Sequence, residues 1–272
     1  MLMCGMKAVA QDSYSEALKA LVNANPSMGA NFKADDMKAS LKQVNQMVMK
    51  DYNESDSNEL IEKYLKTQFM SDIINRMMLP SFKKHVTEDE LRELTALITT
   101  PEGQAFSKES AEIMKKPEAV GEMTKQVMAM AMSVMKNEEL APVKANANIP
   151  QDYVELWDRY YDGGGMSSLV EPIFSTMEKQ FSQSGGKEFG EKLSSHMKSN
   201  FKVVMMNMSY GTMSKAALEF GVKYVSTTAG KHAMDAAVDM MSGDLQQLGM
   251  QLMVGYGEWL EEQGVELKED LE

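Results

Sequence analysis

Apolar side chains recur at three- and four-residue intervals along almost the whole chain, and no segment shows the sustained alternation of a half-buried strand. The pattern predicts an all-α fold. "DSYSEALKALVNAN" opens with the capping residues Asp12 and Ser13, sets Leu18, Leu21 and Val22 on one face, and stops near Pro26. A second helix is expected over Ala34 to Lys50, with Met37, Leu41, Val44 and Val48 in register, and the polar stretch Asp51 to Asn58 breaks it. From Asn58, the stripe Ile61, Leu65, Phe69, Ile73 and Met77 predicts a long amphipathic helix that ends or kinks near Pro80. Thr87 then caps a further helix, with Glu90 placed to close a capping box and Leu91, Leu94, Leu97 and Ile98 forming the buried face.

A helix break follows and occurs twice. In "ITTPEGQAF", Thr100 is positioned to cap, Pro101 takes the first helical position with no donor to lose, and Glu102 meets the positive end of the helix dipole. Gly103 lies inside the new first turn, where glycine costs about 1 kcal/mol against alanine, so another helix is expected to pass very close. Ser226, Thr227 and Gly230 repeat Thr99, Thr100 and Gly103 at a constant offset of 127 positions, and Ser214 repeats the cap Thr87. Leu91 and Leu218, Ile98 and Val225, and Met114 and Met241 extend the match. "SYSEALKALV" resembles "DYVELWDRYY" at an offset of 139, so the first copy holds extra residues, much of them in the polar Asp51 to Asn58 stretch. Two tandem helical units are therefore expected, residues 11–136 and 151–264, joined by a linker over 137–150 and followed by an acidic, solvated tail over 265–272. In the second unit, Gly163 to Gly165 end one helix, Gly185 and Gly186 end the next, and a final helix carries Leu245, Leu248, Leu252, Tyr256 and Trp259.

The N-terminus bears on compartment. Residues 1–10 are mainly apolar and finish in Ala8-Val9-Ala10, the small-x-small pattern of signal-peptidase cleavage, so they are expected to be the remnant of an export signal cut after Ala10. A start site further upstream would supply the basic leader and full-length apolar core that this stretch lacks. Cleavage there removes Cys4, the only cysteine, which leaves a thiol-free chain suited to an oxidising compartment and excludes cysteine catalysis and disulfides. The longest apolar run, Val127 to Met135, is about half the roughly 20 residues a membrane helix needs, so no transmembrane segment is expected. A net charge of −12 argues against a nucleic-acid partner.

At "FKKHVTEDELRELTALITTPEGQAF" the chain resembles a bacterial export-associated family catalogued as domain of unknown function 2059, whose core is an acidic-capped helix running into a Thr-Pro-x-Gly corner. The resemblance covers roughly residues 60–114; the second copy departs from it, with Thr228-Ala229 where the pattern has Pro-x. It implies a helical periplasmic or secreted protein and adds no catalytic residue.

Chemistry-bearing residues are few. His85, His196 and His232 sit in no HExxH, GxSxG or comparable spacing, "GGGM" lacks the context of a phosphate loop, and no cofactor is implied. His232, Asp235 and Asp239 share one helix face and are weak candidate ligands for a divalent cation, although a solvated polar face accounts for them more simply. Methionine is the outlier, at 28 residues against 9 Phe and 2 Trp. Met128, Met132 and Met135 fall at helical spacing, and Met205, Met206, Met208, Met240 and Met241 are dense. Core packing, a Met-lined groove for a protein or an apolar small molecule, and thioether sites for Cu(I) all fit such a pattern. The expected function is non-catalytic binding through that groove; a copper-binding or oxidant-absorbing protein and an enzyme with a His/carboxylate site are the alternatives.

Overall fold

The computed structural model describes residues 2–29, 34–115, 132–133, 136, 142–163, 166–242 and 245–268. Among these the fold is all-α, with two isolated β-bridges and no strand. The helices are α1 (Leu2–Ala24), α2 (Pro26–Gly29), α3 (Ala34–Val48), α4 (Glu54–Thr67), α5 (Phe69–Asp72), a π turn (Ile73–Met78), α6 (Leu79–His85), α7 (Glu88–Ile98) and α8 (Pro101–Lys115). After the connection come α9 (Gln151–Gly163), α10 (Met166–Gly185), α11 (Lys187–Ser209), α12 (Lys215–Ser226), α13 (Thr228–Ser242) and α14 (Leu245–Glu262).

Both corners have the same atomic design. Thr100 Oγ1 donates to the Leu97 carbonyl at 2.8 Å and accepts from the Gly103 N–H at 3.1 Å. Thr227 Oγ1 likewise donates to the Tyr224 carbonyl at 2.8 Å and accepts from Gly230 N–H at 2.9 Å. One hydroxyl thus satisfies an orphan carbonyl of the outgoing helix and an orphan donor of the incoming one. Pro101 opens α8 as expected. The glycines are needed because the preceding helix end is the close neighbour: a Cβ on Gly103 would lie 2.5 Å from the Leu97 carbonyl oxygen and 2.7 Å from Ile98 Cα. At Gly230 it would collide with the Tyr224 carbonyl oxygen.

The helices that leave the corners cross over. α8 leaves the first corner and packs on α12, while α13 leaves the second and packs on α6 and α7. α1 lies on α7 as α9 lies on α12. Residues 11–136 and 151–264 consequently share one apolar cluster running from Ala17 to Leu260, in which Leu91, Leu94, Ile98 and Leu218 are fully enclosed. A smaller cluster of Val170, Phe174, Leu193 and Met197 closes the α10–α11 hairpin.

Several boundaries differ from expectation for identifiable reasons. The capping box on Thr87 forms as expected, with Glu90 Oε2 accepting from the Thr87 N–H at 2.8 Å. α1, in contrast, runs through Asp12 and Ser13, because residues 2–11 contain good helix formers and no proline. Ser13 instead donates to Glu88 at 2.6 Å, and Tyr14 donates to the Val86 carbonyl at 2.9 Å. α4 starts ahead of Asn58, since Asn53 accepts from the N–H groups of Ser55 and Asp56 and caps it. The single helix expected from Asn58 is interrupted at Gln68, between α4 and α5, and the helical path beyond it runs past Pro80 into α6. A stripe spaced strictly by four drifts across an α-helix of 3.6 residues per turn, and the π turn takes up the excess, keeping Ile73, Ile74, Met77 and Met78 buried.

The connection and the tail are tied down. Asn200 Oδ1 accepts from Val143 N–H at 2.6 Å, Asn207 Oδ1 accepts from Asn146 N–H at 2.9 Å, and Tyr210 donates to Asn148 at 3.1 Å. Residues 265–268 are held against the end of α3 by Lys50 N–H to Glu266 O at 3.0 Å and Lys268 N–H to Val48 O at 2.8 Å. The solvated tail expected from residue 265 is thus fixed over its first four described residues.

Gly103→Ala and Gly230→Ala should each destabilise the protein by about 1–3 kcal/mol, the range for forcing atoms into a packed site. Gly163→Ala, at a position with nothing within 4 Å, should be neutral or slightly stabilising. Thermal melts of the three variants check this.

Candidate functional site

The described candidate methionines differ in burial. Met206 is buried at 4% exposure in the main core, Met205 and Met240 pack against that core, and Met208 is half-buried. Met132 is 56% exposed. Met128 and Met135 lie outside the described residues, as does the side chain of Met241. Met205 and Met206 are adjacent on α11 and therefore face different surroundings.

The candidate ligand set on α13 is divided between two partners. His232 Nδ1 lies 2.7 Å from Glu90 Oε1, so the imidazole meets the carboxylate that already caps α7. Asp239 accepts from Lys84 at 2.9 Å and lies 3.9 Å from His85 Nε2, both on α6, while Asp235 is exposed. Among the described residues, no group of three or more His, Cys, Asp or Glu is placed to hold a metal ion. His196, on α11, contacts the Asn200 amide at 3.1 Å, and burial pushes its pKa down. Two of the three histidines thus meet carboxylates along the α6–α7–α13 seam. The Thr87 backbone hydrogen bond, foremost, holds Glu90 below the usual carboxylate range, and the Lys84 hydrogen bond does the same for Asp239.

A second polar cluster lies beneath α14. Asp72 is 4% exposed and accepts from Tyr64 at 2.7 Å and Gln68 at 3.0 Å, with Arg76 Nε at 3.8 Å. Arg76 also pairs with Glu258 of α14. Gly255 makes room for this, since a Cβ there would lie 2.6 Å from Arg76 Nε. The Tyr64 ring meets Tyr256 at 4.7 Å and Trp259 at 5.4 Å between centroids. Burial, then the Asp72 hydrogen bond, raises the Tyr64 pKa well above the usual phenol range, and burial pushes Tyr256 up to about 12. Both phenols stay protonated at physiological pH, and Tyr64 remains the donor to Asp72.

The outer surface of α3 and α14 carries the apolar groups that sequence reading passed over. Met47 on α3 is 59% exposed, and Met250 and Val254 on α14 are each 55% exposed. Leu252, Tyr256 and Trp259 of α14 are buried, so this helix is apolar on both faces. A signal was present: Leu245 to Gly257 contains no charged residue, and an amphipathic surface helix normally has a charged outer face. No helix among the described residues is long and apolar enough to cross a membrane.

Fold and surface together define an all-α protein with large apolar side chains exposed on α3 and α14. No family model matches the chain, and no curated protein or solved structure matches it either.

Acid titration tests the seam. A carboxylate with a lowered folded pKa contributes stability that is complete above its unfolded value of about 4.3 and is lost as pH falls through the folded value. Melting temperature should therefore fall as pH drops below that region, and Glu90→Gln should flatten the decline while lowering stability at neutral pH.

Proposed function

We propose that the protein is a non-catalytic, exported helical binding protein that engages a protein or an apolar small molecule through exposed methionine and valine side chains. The observation that carries this reading is the exposure of Met47, Met250 and Val254 on helices that are otherwise well packed. Thioether side chains are flexible and polarizable and adapt to varied apolar partners. The histidines support the same reading: His232 meets a capping carboxylate, His85 lies beside the Lys84–Asp239 pair, and His196 meets an asparagine amide.

Export is supported by Ala8-Val9-Ala10 and by the resemblance over residues 60–114 to a bacterial export-associated family. Ser13, Tyr14, Leu18 and Leu21, which help seat α1, lie beyond Ala10, so cleavage there leaves them in place. N-terminal sequencing of protein recovered from the periplasm should begin at Gln11; an intact Met1 would overturn the export reading.

A second reading, oxidant absorption, is favoured by the exposure of Met47, Met132 and Met250, whose conversion to sulfoxide disturbs no core contact.

Binding is tested with an apolar fluorescent probe such as anilinonaphthalene sulfonate. The native protein should enhance its emission, and Met250→Glu with Val254→Glu should reduce the apparent affinity by about tenfold at unchanged helicity. No enhancement by the native protein would sink the reading.

A further inference from the structure

The two corners differ in how their first helices are capped, and the differences are complementary. α7 carries its own capping acid, Glu90. At the matching place in α12 stands Ala217, and the acid comes from the other half of the chain: Glu109 of α8 accepts from the Ser214 N–H at 2.7 Å and from the Ser214 hydroxyl at 3.0 Å. The reciprocal contact carries the opposite charge, because α13 presents His232 to Glu90 at 2.7 Å. The position matching Glu109 in the second half is Ala236, and the position matching His232 in the first half is Ala105.

These six positions decide which pairings are satisfied. Two first halves placed in this geometry would bring Glu109 of each onto a Thr87 cap that already holds Glu90, setting carboxylate against carboxylate without a histidine. Two second halves would leave Ser214 without an acid and His232 without a carboxylate. Only the unlike pair gives each cap a single acid.

We propose that the crossed caps form a recognition surface between the halves, so that the segment ending at Lys115 accepts the segment beginning at Pro142, and neither accepts a copy of itself. The partner this surface fits is residues 142–268 of the same chain. Penalising the wrong pair as well as rewarding the right one is how specificity is built at related interfaces. The inference rests on the matched corners and is independent of the binding function proposed above.

The test starts from the full chain with a protease recognition site inserted at Gly121, folded and then cut. Native mass spectrometry should show the two fragments as one unlike pair. After dissociation in urea and refolding by dilution, unlike pairs should exceed like pairs by about tenfold or more, and Glu109→Lys should erase most of that excess. A statistical mixture of pairs, or fragments that refold as separate monomers, would overturn the proposal. If the fragments aggregate, the uncut chain decides: Glu109→Ala should speed hydrogen exchange at the Ser214 and Ala217 amides by about tenfold, with Glu109→Gln intermediate. Unchanged exchange in Glu109→Ala would equally overturn it.

Discussion

The whole arrangement depends on a close approach of backbone to backbone at two glycines. At Gly103 and Gly230 the first turn of one helix sits against the last carbonyls of the helix before it, nearer than a Cβ allows. A single threonine hydroxyl holds each junction from both sides. That contact sets the angle at which α8 and α13 depart, and the angle carries each of them onto the opposite half of the chain. One core then forms from both parts of the chain. A chain of this size buries a larger fraction of its surface as one body than as two, which favours the crossed arrangement energetically.

Polar side chains around this core mainly settle backbone groups. Thr87, Asn53 and Ser214 cap helices, Asn200 and Asn207 hold the connection, and Glu109 reaches across to a helix start that has no acid of its own. Asparagine suits the connection because its side chain carries both an acceptor and donors, as the peptide group does. His232 joins the same system through Glu90. Apolar groups left over on α3 and α14 are the exception, since nothing described in the chain covers Met47, Met250 or Val254 to the degree that core positions are covered.

What could be read from the sequence was what local chemistry controls. Helical period, the Thr87 capping box, Pro101 at a helix start and the repeated Thr-x-x-Gly corner all depend on residues within four positions of one another. The crossing of α8 and α13 was not readable, because it depends on a departure angle that periodicity does not encode. Nor was the Tyr64–Asp72 cluster, whose room is made by Gly255, almost two hundred residues away. The π turn was half legible: the strict four-residue stripe from Ile61 to Met77 recorded the excess, but Pro80 suggested a break in its place. The burial of individual methionines was not legible either, because density along a helix says nothing about facing: Met205 is half-buried and Met206 is buried.

Native-state hydrogen exchange across the whole chain tests most directly whether the crossed corners make a single core. The slowest amides of α7, α8, α12 and α13 should share one opening free energy and one denaturant dependence, because none of these helices can be released without uncovering its partner from the other half. Two distinct opening free energies, one for α7 and α8 and another for α12 and α13, would contradict the account and return the molecule to two independent units.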